Sequence, residues 1–283
     1  MSTPVSGNSG GNFGGHFSGR TIAVTGGASG IGRACCELLA ERGARVLVLD
    51  RDAAGARAAA RALGAEDHVL DVADGGAVEA LAAALWQRHG AIDGLINSAG
   101  IIQGDAAPPE RLALATFDRV FEVNLRGTHA ACVAFGARMA RRGQGAIVNL
   151  ASIAGVASTP LHAYGPMKAA IIGLTRNLAA EWGPSGVRVN CLSPGPVLTP
   201  ALQAAIDSGQ RDPAKMRAAA ATGNIVTPRE VALAAAFLLS AEASAITGVN
   251  LPVDHGWLVA NSWTSFGGLR TPAASSPPSA ASA

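Results

Sequence analysis

The chain has 283 residues, 49% of them hydrophobic and 15% charged, enough apolar material for a sizeable core. A formal net charge of +2, with no basic cluster beyond "RMARR" at 138–142, leaves no electrostatic footprint for nucleic acid, so the expected partner is a small molecule. No stretch is long and apolar enough for a membrane helix, no signal-peptide pattern is visible, and Cys35, Cys36, Cys132 and Cys191 lack CxxC or zinc spacing, so the expectation is a cytoplasmic protein with reduced thiols, no membrane association and no metal.

Residues 1–19, mostly Gly, Ser, Asn and Thr, and the Pro/Ala/Ser run 269–283 read as flexible tails around a single domain, 20–268. Within it, short β-branched or apolar runs recur at "TIAVT" (21–25), "RVLVLD" (45–50), "HVLDV" (68–72), "GLINSAG" (94–100), "AIVNLAS" (146–152), "VRVNCLS" (187–193) and "GVNLPVD" (248–254), each a candidate buried strand. Between them, 31–42, 53–63, 75–89, 114–142, 162–182 and 228–240 carry apolar residues three or four apart and predict helices. In "EWGPSG", Gly183 is the expected left-handed helix cap, with Pro184 just beyond it. Strand and helix in alternation predict an α/β fold, a doubly wound parallel sheet with helices on both faces and its ligand site outside the carboxyl ends of the strands.

The first strand runs into "TGGASGIG". Gly26, Gly30 and Gly32 permit a tight turn and close approach of a pyrophosphate, whose charge the amides of the following helix would receive. Asp50 ends the second strand, 18 residues after Gly32; a carboxylate there accepts hydrogen bonds from ribose hydroxyls and repels a 2′-phosphate, favouring NAD over NADP, although Arg51 beside it is able to attract that phosphate. In "HAYGPMKAA" the chain's one tyrosine, Tyr164, stands four residues before Lys168, so the two share a helix face. A nearby ammonium and a nicotinamide cation would favour phenolate and make a tuned acid/base, with Ser152 at the end of the fifth strand to hold a substrate oxygen. Pro166 is compatible with a helix beginning near His162, where first-turn amides have no intrahelical partner.

Together these motifs resemble the short-chain dehydrogenase/reductase family over nearly all of residues 20–256. "TGGASGIG" is similar to the TGxxxGxG turn, Asp71 and Val72 to the adenine-contacting pair, "NSAG" at 97–100 to NNAG, Asn124 to the helix asparagine, Ser152, Tyr164 and Lys168 to the catalytic group, and "PGPVLT" at 194–199 to the nicotinamide-side loop. The resemblance implies a Rossmann-like fold of about seven strands, usually a homotetramer. It implies a cofactor site at Gly26, Ser29, Gly30, Ile31, Gly32, Asp50, Asp71, Val72, Asn97, Ala99, Gly100, Tyr164, Lys168, Pro194, Gly195, Val197 and Thr199. Tyr164 would exchange the proton, Ser152 orient the oxygen, Lys168 bind ribose hydroxyls and lower the tyrosine pKa, and Asn124 help hold a water leading to solvent. The expected activity is NAD-dependent interconversion of a secondary alcohol and a ketone; an NADP-dependent carbonyl reductase and a weakly catalytic dinucleotide sensor or scaffold are the alternatives.

The chain departs from the pattern at Ser98, at Pro166, at His255 where glycine is usual, and in a Ser152-to-Tyr164 interval one residue short. His162 is an expected substrate contact, His255 an expected structural or subunit contact, and Trp257, Trp263 and Phe266 are expected to pack against a neighbouring subunit. The lid segment, about 200–226, contains no aromatic residue and suits a polyol, sugar, hydroxy ester or compact cyclic alcohol.

Overall fold

Strand β1 (Thr21–Thr25) is buried along its whole length, as an unbroken TIAVT run between two helical layers requires. The computed structural model describes residues 17–104 and 106–270, so of the tails expected at 1–19 and 269–283, residues 1–16 and 271–283 lie outside the described residues. Six more strands accompany β1: β2 (Arg45–Asp50), β3 (Glu66–Val69), β4 (Gly94–Asn97), β5 (Gly145–Leu150), β6 (Val187–Pro194) and β7 (Asn250–Val253). They form one parallel sheet in the order β3-β2-β1-β4-β5-β6-β7, the doubly wound α/β arrangement expected.

The helices are α1 (Gly30–Glu41), α2 (Ala53–Leu63), α3 (Gly75–His89), α4 (Leu114–Val120), α5 (Gly127–Arg142), α6 (Tyr164–Trp182), α7 (Pro200–Asp207), α8 (Pro213–Ala219), α9 (Pro228–Leu239) and α10 (Trp257–Ala260). Alternation along each strand splits the core in two. Ile22 and Val24 join Leu38, Leu39 and Val231 from α1 and α9 on one face. Ala23 joins Leu85, Phe135 and Met139 from α3 and α5 on the other. Each such aliphatic or aromatic side chain taken out of water contributes about 1.5–3 kcal/mol. Helix starts follow local chemistry: Asp52 accepts from Ala54 and Gly55 ahead of α2, and Thr227 and Glu230 form a capping box on α9.

Four expectations need correction. The third strand lies two residues earlier than "HVLDV", because at this sheet edge only β2 offers a ladder, and Asp71 instead bends the chain by accepting from the Ala73 amide at 2.9 Å. Gly183 is right-handed; a short 3₁₀ turn, Gly183–Ser185, follows α6, and the left-handed cap is Gly186 at φ 72°. The single helix foreseen over 114–142 is interrupted by a π-helical turn, Phe121–Arg126. Phe17, within the stretch read as a tail, is fully buried and its amide bonds the Arg42 carbonyl at 2.9 Å.

Candidate active site

The carboxyl ends of β1 and β4 face the point where strand order reverses, the crevice in which such sheets hold their ligands. On one side lies the glycine turn. Gly26 adopts φ +68°, and a Cβ there would come within 2.8 Å of the Ala99 backbone. Gly32 leaves no space at all for a Cβ against the Gly26 carbonyl. This contact brings the start of α1 down onto the turn, with no acidic residue in its first turn and Ser29 exposed at the N-cap without a capping bond. That arrangement fits a pyrophosphate, with amides from Ser29 to Gly32 as donors. Thr25, which sequence reasoning passed over, accepts the Ala99 amide through Oγ1 at 3.2 Å and so ties the turn to "NSAG".

Asp50 ends β2 with both carboxylate oxygens oriented by backbone: Oδ2 accepts from Ala28 at 3.0 Å and Oδ1 from Asp52 at 3.0 Å. Its remaining lone pairs are available to a ribose. Arg51 is exposed. Asp71 is held by the Ala73 amide and by Arg119 at 3.2 Å, and these contacts keep its carboxyl below the usual carboxylate range. Val72 is buried against Gly127, where a Cβ would lie 2.8 Å from it. Across the crevice, Thr199 approaches Gly30, where a Cβ would be 3.3 Å from the threonine methyl. The Thr199 hydroxyl caps α7 through the Leu202 amide at 3.3 Å. Val197 bridges to Val226, Leu198 donates to the Val226 carbonyl at 2.8 Å, and Gly195 lies against Asp254, so the 194–199 loop is braced at the root of the lid.

The Ser152, Tyr164 and Lys168 side chains meet. Ser152 follows β5; Tyr164 and Lys168 are one turn apart at the start of α6, with Lys168 Nζ 5.3 Å from the phenol centroid. Pro166 falls in the first turn of α6, where its missing amide hydrogen leaves no bond unmade. The short Ser–Tyr loop closes by laying Gly155 directly on the α6 backbone, where a Cβ would lie 2.6 Å from Lys168 C. The tyrosine as a whole is part-exposed, but protein crowds its hydroxyl. Burial pushes the phenol up to about 12, against the lowering effect of its hydrogen bond with Ser152. Burial likewise lowers the Lys168 ammonium to about 8, while Nζ donates to the Leu150 carbonyl at 2.7 Å. Both groups are therefore biased toward their neutral forms until a compensating charge arrives.

Asn124, in the π-helical turn, is fully buried and clamps one residue: Oδ1 accepts from the Ile101 amide at 2.8 Å and Nδ2 donates to its carbonyl at 2.7 Å. It borders the lysine across Gly100, whose missing Cβ would lie 3.1 Å from Asn124 Oδ1 and 3.7 Å from Lys168 Nζ. Gln103, two residues after Ile101, accepts from the Ala163 and Tyr164 amides at 2.7 and 3.2 Å. No sequence signal marks it, because its partners lie 60 and 61 residues away.

Two expected contacts stand elsewhere. The Asn97 side chain is buried, donating to Asn149 at 2.9 Å and to Cys132 at 3.2 Å, so it is not free to reach a cofactor. His162 lines a hollow of about 270 Å³ with Thr159, Leu161 and Pro166, and Ser152, Tyr164 and Lys168 do not line it. His255 adopts φ 53° and sets Nε2 3.3 Å from Glu230, a structural contact. All four cysteines are free and buried, and burial pushes each thiol up. Among the described residues no group of three His, Cys, Asp or Glu side chains is arranged to hold a metal, and no helix is long and apolar enough to cross a membrane.

A phenol between a hydroxyl and a lysine, facing a glycine cradle that fits a pyrophosphate, is the equipment of a dinucleotide-dependent oxidoreductase, and the comparisons with known proteins agree. A family model described as Enoyl-(Acyl carrier protein) reductase matches residues 26–258. D-threitol dehydrogenase of Mycolicibacterium smegmatis is 42% identical over 83% of this chain and 92% of its own. A crystal structure described as ribose-5-phosphate isomerase from Brucella melitensis 16M is 52% identical with TM-score 0.88, covering 90% of this chain and 99% of the other. One from Beutenbergia cavernae, holding NADP at low occupancy, is 38% identical with TM-score 0.79, covering 87% and 100%. The chain belongs to the short-chain dehydrogenase/reductase family. It is an NAD(P)-dependent oxidoreductase that interconverts CH–OH and carbonyl groups; the dinucleotide, when bound, supplies or accepts the hydride.

Proposed function

We propose that the protein oxidises a secondary alcohol of a small polyol or sugar with NAD, using Tyr164 as acid/base. Ser152 orients the reacting oxygen, Lys168 holds the nicotinamide ribose, and Asn124 supports the lysine side of the site; burial alone pushes the phenol up rather than down, so phenolate is favoured only once the positive charge of the bound nicotinamide joins that of Lys168. The observation that carries this reading is the meeting of Ser152, Tyr164 and Lys168 at the end of β5. The NAD preference rests on the Asp50 carboxylate, fixed by two amides where a 2′-phosphate would have to sit; a relative that holds NADP makes this a property of the residue rather than of the family. The polyol class draws on the threitol-oxidising relative and on a lid without aromatic residues. Exposed Phe121 and Val133 support assembly as a homotetramer.

The test is to follow reduced nicotinamide by absorbance, with NAD and NADP offered separately against tetritols, hexitols, sugars, hydroxy esters and cyclic diols, and NADH and NADPH against the corresponding ketones. The expected result is turnover with NAD that falls about 10²–10⁴-fold in Tyr164→Phe, with dinucleotide binding retained. Turnover with NADPH and ketones alone would replace the NAD assignment with the carbonyl-reductase one. A second reading has one finding in its favour, the 52% identical relative described as an isomerase. Ribose 5-phosphate is therefore assayed without dinucleotide; conversion there would show an isomerase activity beside the oxidoreductase one, and none would dismiss this second reading.

A further inference from the structure

Resting on the role proposed for Tyr164, we infer that Gln103 is a positioning residue for catalysis: it caps the start of α6 and so sets where the phenol stands. The helix that carries Tyr164 and Lys168 has no cap of its own. Its N-cap is Ala163, which makes no side-chain cap bond, and its first turn holds no acidic residue. The amides of Ala163 and Tyr164 converge instead on a single oxygen, Gln103 Oε1, at 2.7 and 3.2 Å. Gln103 is 3% exposed and comes from the segment that follows β4, so the bond is sheltered from water.

That segment is itself held. Asn124 grips both backbone groups of Ile101, two residues before Gln103. Asn124, Ile101, Gln103 and the Tyr164 backbone thus form one line of contacts running from the π-helical turn to the acid/base. The last link is to the amide of the reacting residue itself rather than to a distant turn of the helix. Loss of the cap therefore moves the phenol relative to Ser152, and a shift of about 1 Å at a reacting group costs up to about a hundredfold in rate. Lys168, anchored independently on the Leu150 carbonyl, stays with the cofactor side of the site.

The experiment uses Gln103→Met, which keeps length and apolar burial but removes the acceptor, and Gln103→Glu, whose carboxylate is able to accept both bonds. The expected result for Gln103→Met is a fall in kcat of about ten- to a hundredfold with the NAD dissociation constant unchanged, and recovery of most of kcat in Gln103→Glu. Unchanged kcat in Gln103→Met, or a Gln103→Glu variant as slow as Gln103→Met, overturns the inference. If Gln103→Met does not fold, Gln103→Asn, which withdraws the same amide by one methylene, decides in the same way: lost kcat supports the role and full kcat overturns it. Tyr164→Phe is measured alongside; full turnover there overturns the tyrosine's role itself, an outcome separate from failure of the Gln103 link.

Discussion

Lys168 is a cation the protein buries at a cost. Its hydrogen bond to the Leu150 carbonyl does not replace the water it loses, and burial lowers its pKa from 10.5 to about 8. A lysine with a depressed folded pKa contributes stability above its unfolded pKa and loses it as pH falls through the folded value. At pH 7 the unliganded protein is therefore less stable than its packing would allow. Lys168→Met should raise the melting temperature at pH 7, by the equivalent of about 1–3 kcal/mol once the unpaired Leu150 carbonyl is counted against it. The gain should shrink as pH rises from 8 toward 10.5, while turnover is lost. Thermal melts of both proteins across that range are the check; a variant no more stable at pH 7 would mean that the ammonium is solvated after all. Tyr164 has the opposite sign, since its raised pKa of about 12 favours the folded state below pH 10 and loses that effect as pH climbs through 12.

At the level of the element, the glycine turn and α1 act as one piece, because the helix touches the turn through Gly32. A Cβ at that position runs into the Gly26 carbonyl, and backbone has nowhere to retreat when Gly26 already lies on Ala99. Gly32→Ala should push α1 off the turn and weaken dinucleotide binding by about 10- to 100-fold, in line with the 1–3 kcal/mol of local backbone strain. Fluorescence titration with NAD measures this, and undiminished affinity would mean that the phosphate sits elsewhere. This turn was legible because a strand, three glycines and a helix follow one another directly, and the Tyr164–Lys168 pair because one helical turn separates them. The elements that slipped depend on neighbours far along the chain. The edge strand β3 stops where β2 stops, and the π-helical turn at Asn124 packs where Gly127 meets Val72. The Asn97 side chain follows Cys132 and Asn149 into the interior, and Gln103 finds its partners only after the whole β4–α6 stretch has folded. Periodicity carries no information about such meetings.

For the whole molecule, the net charge of +2 offers little repulsion between copies, and among the described residues several large apolar side chains face outward, two groups of them of particular interest. One lies along the α5–α6 side, where Phe121 is 40% and Val133 42% exposed and where Phe121, Leu125, His129 and Leu174 border a hollow of about 310 Å³. The other is the C-terminal stretch, with Val259 68%, Trp263 45% and Phe266 84% exposed. Large apolar side chains are left in water at a free-energy cost that a symmetric contact removes, and the homotetramer proposed above would use two such patches in two kinds of interface. In the proposed tetramer Val133→Glu should reduce the mass in solution by half, since a charge introduced on this face would meet its own copy across an isologous contact. Phe266→Asp should halve it through the other contact, and the double variant should be a monomer. Light scattering of the four proteins tests all three steps. A parent that is already monomeric would leave these patches to some other partner, whereas a tetramer split by Val133→Glu with Tyr164-dependent turnover intact would show that each active site is complete within one chain.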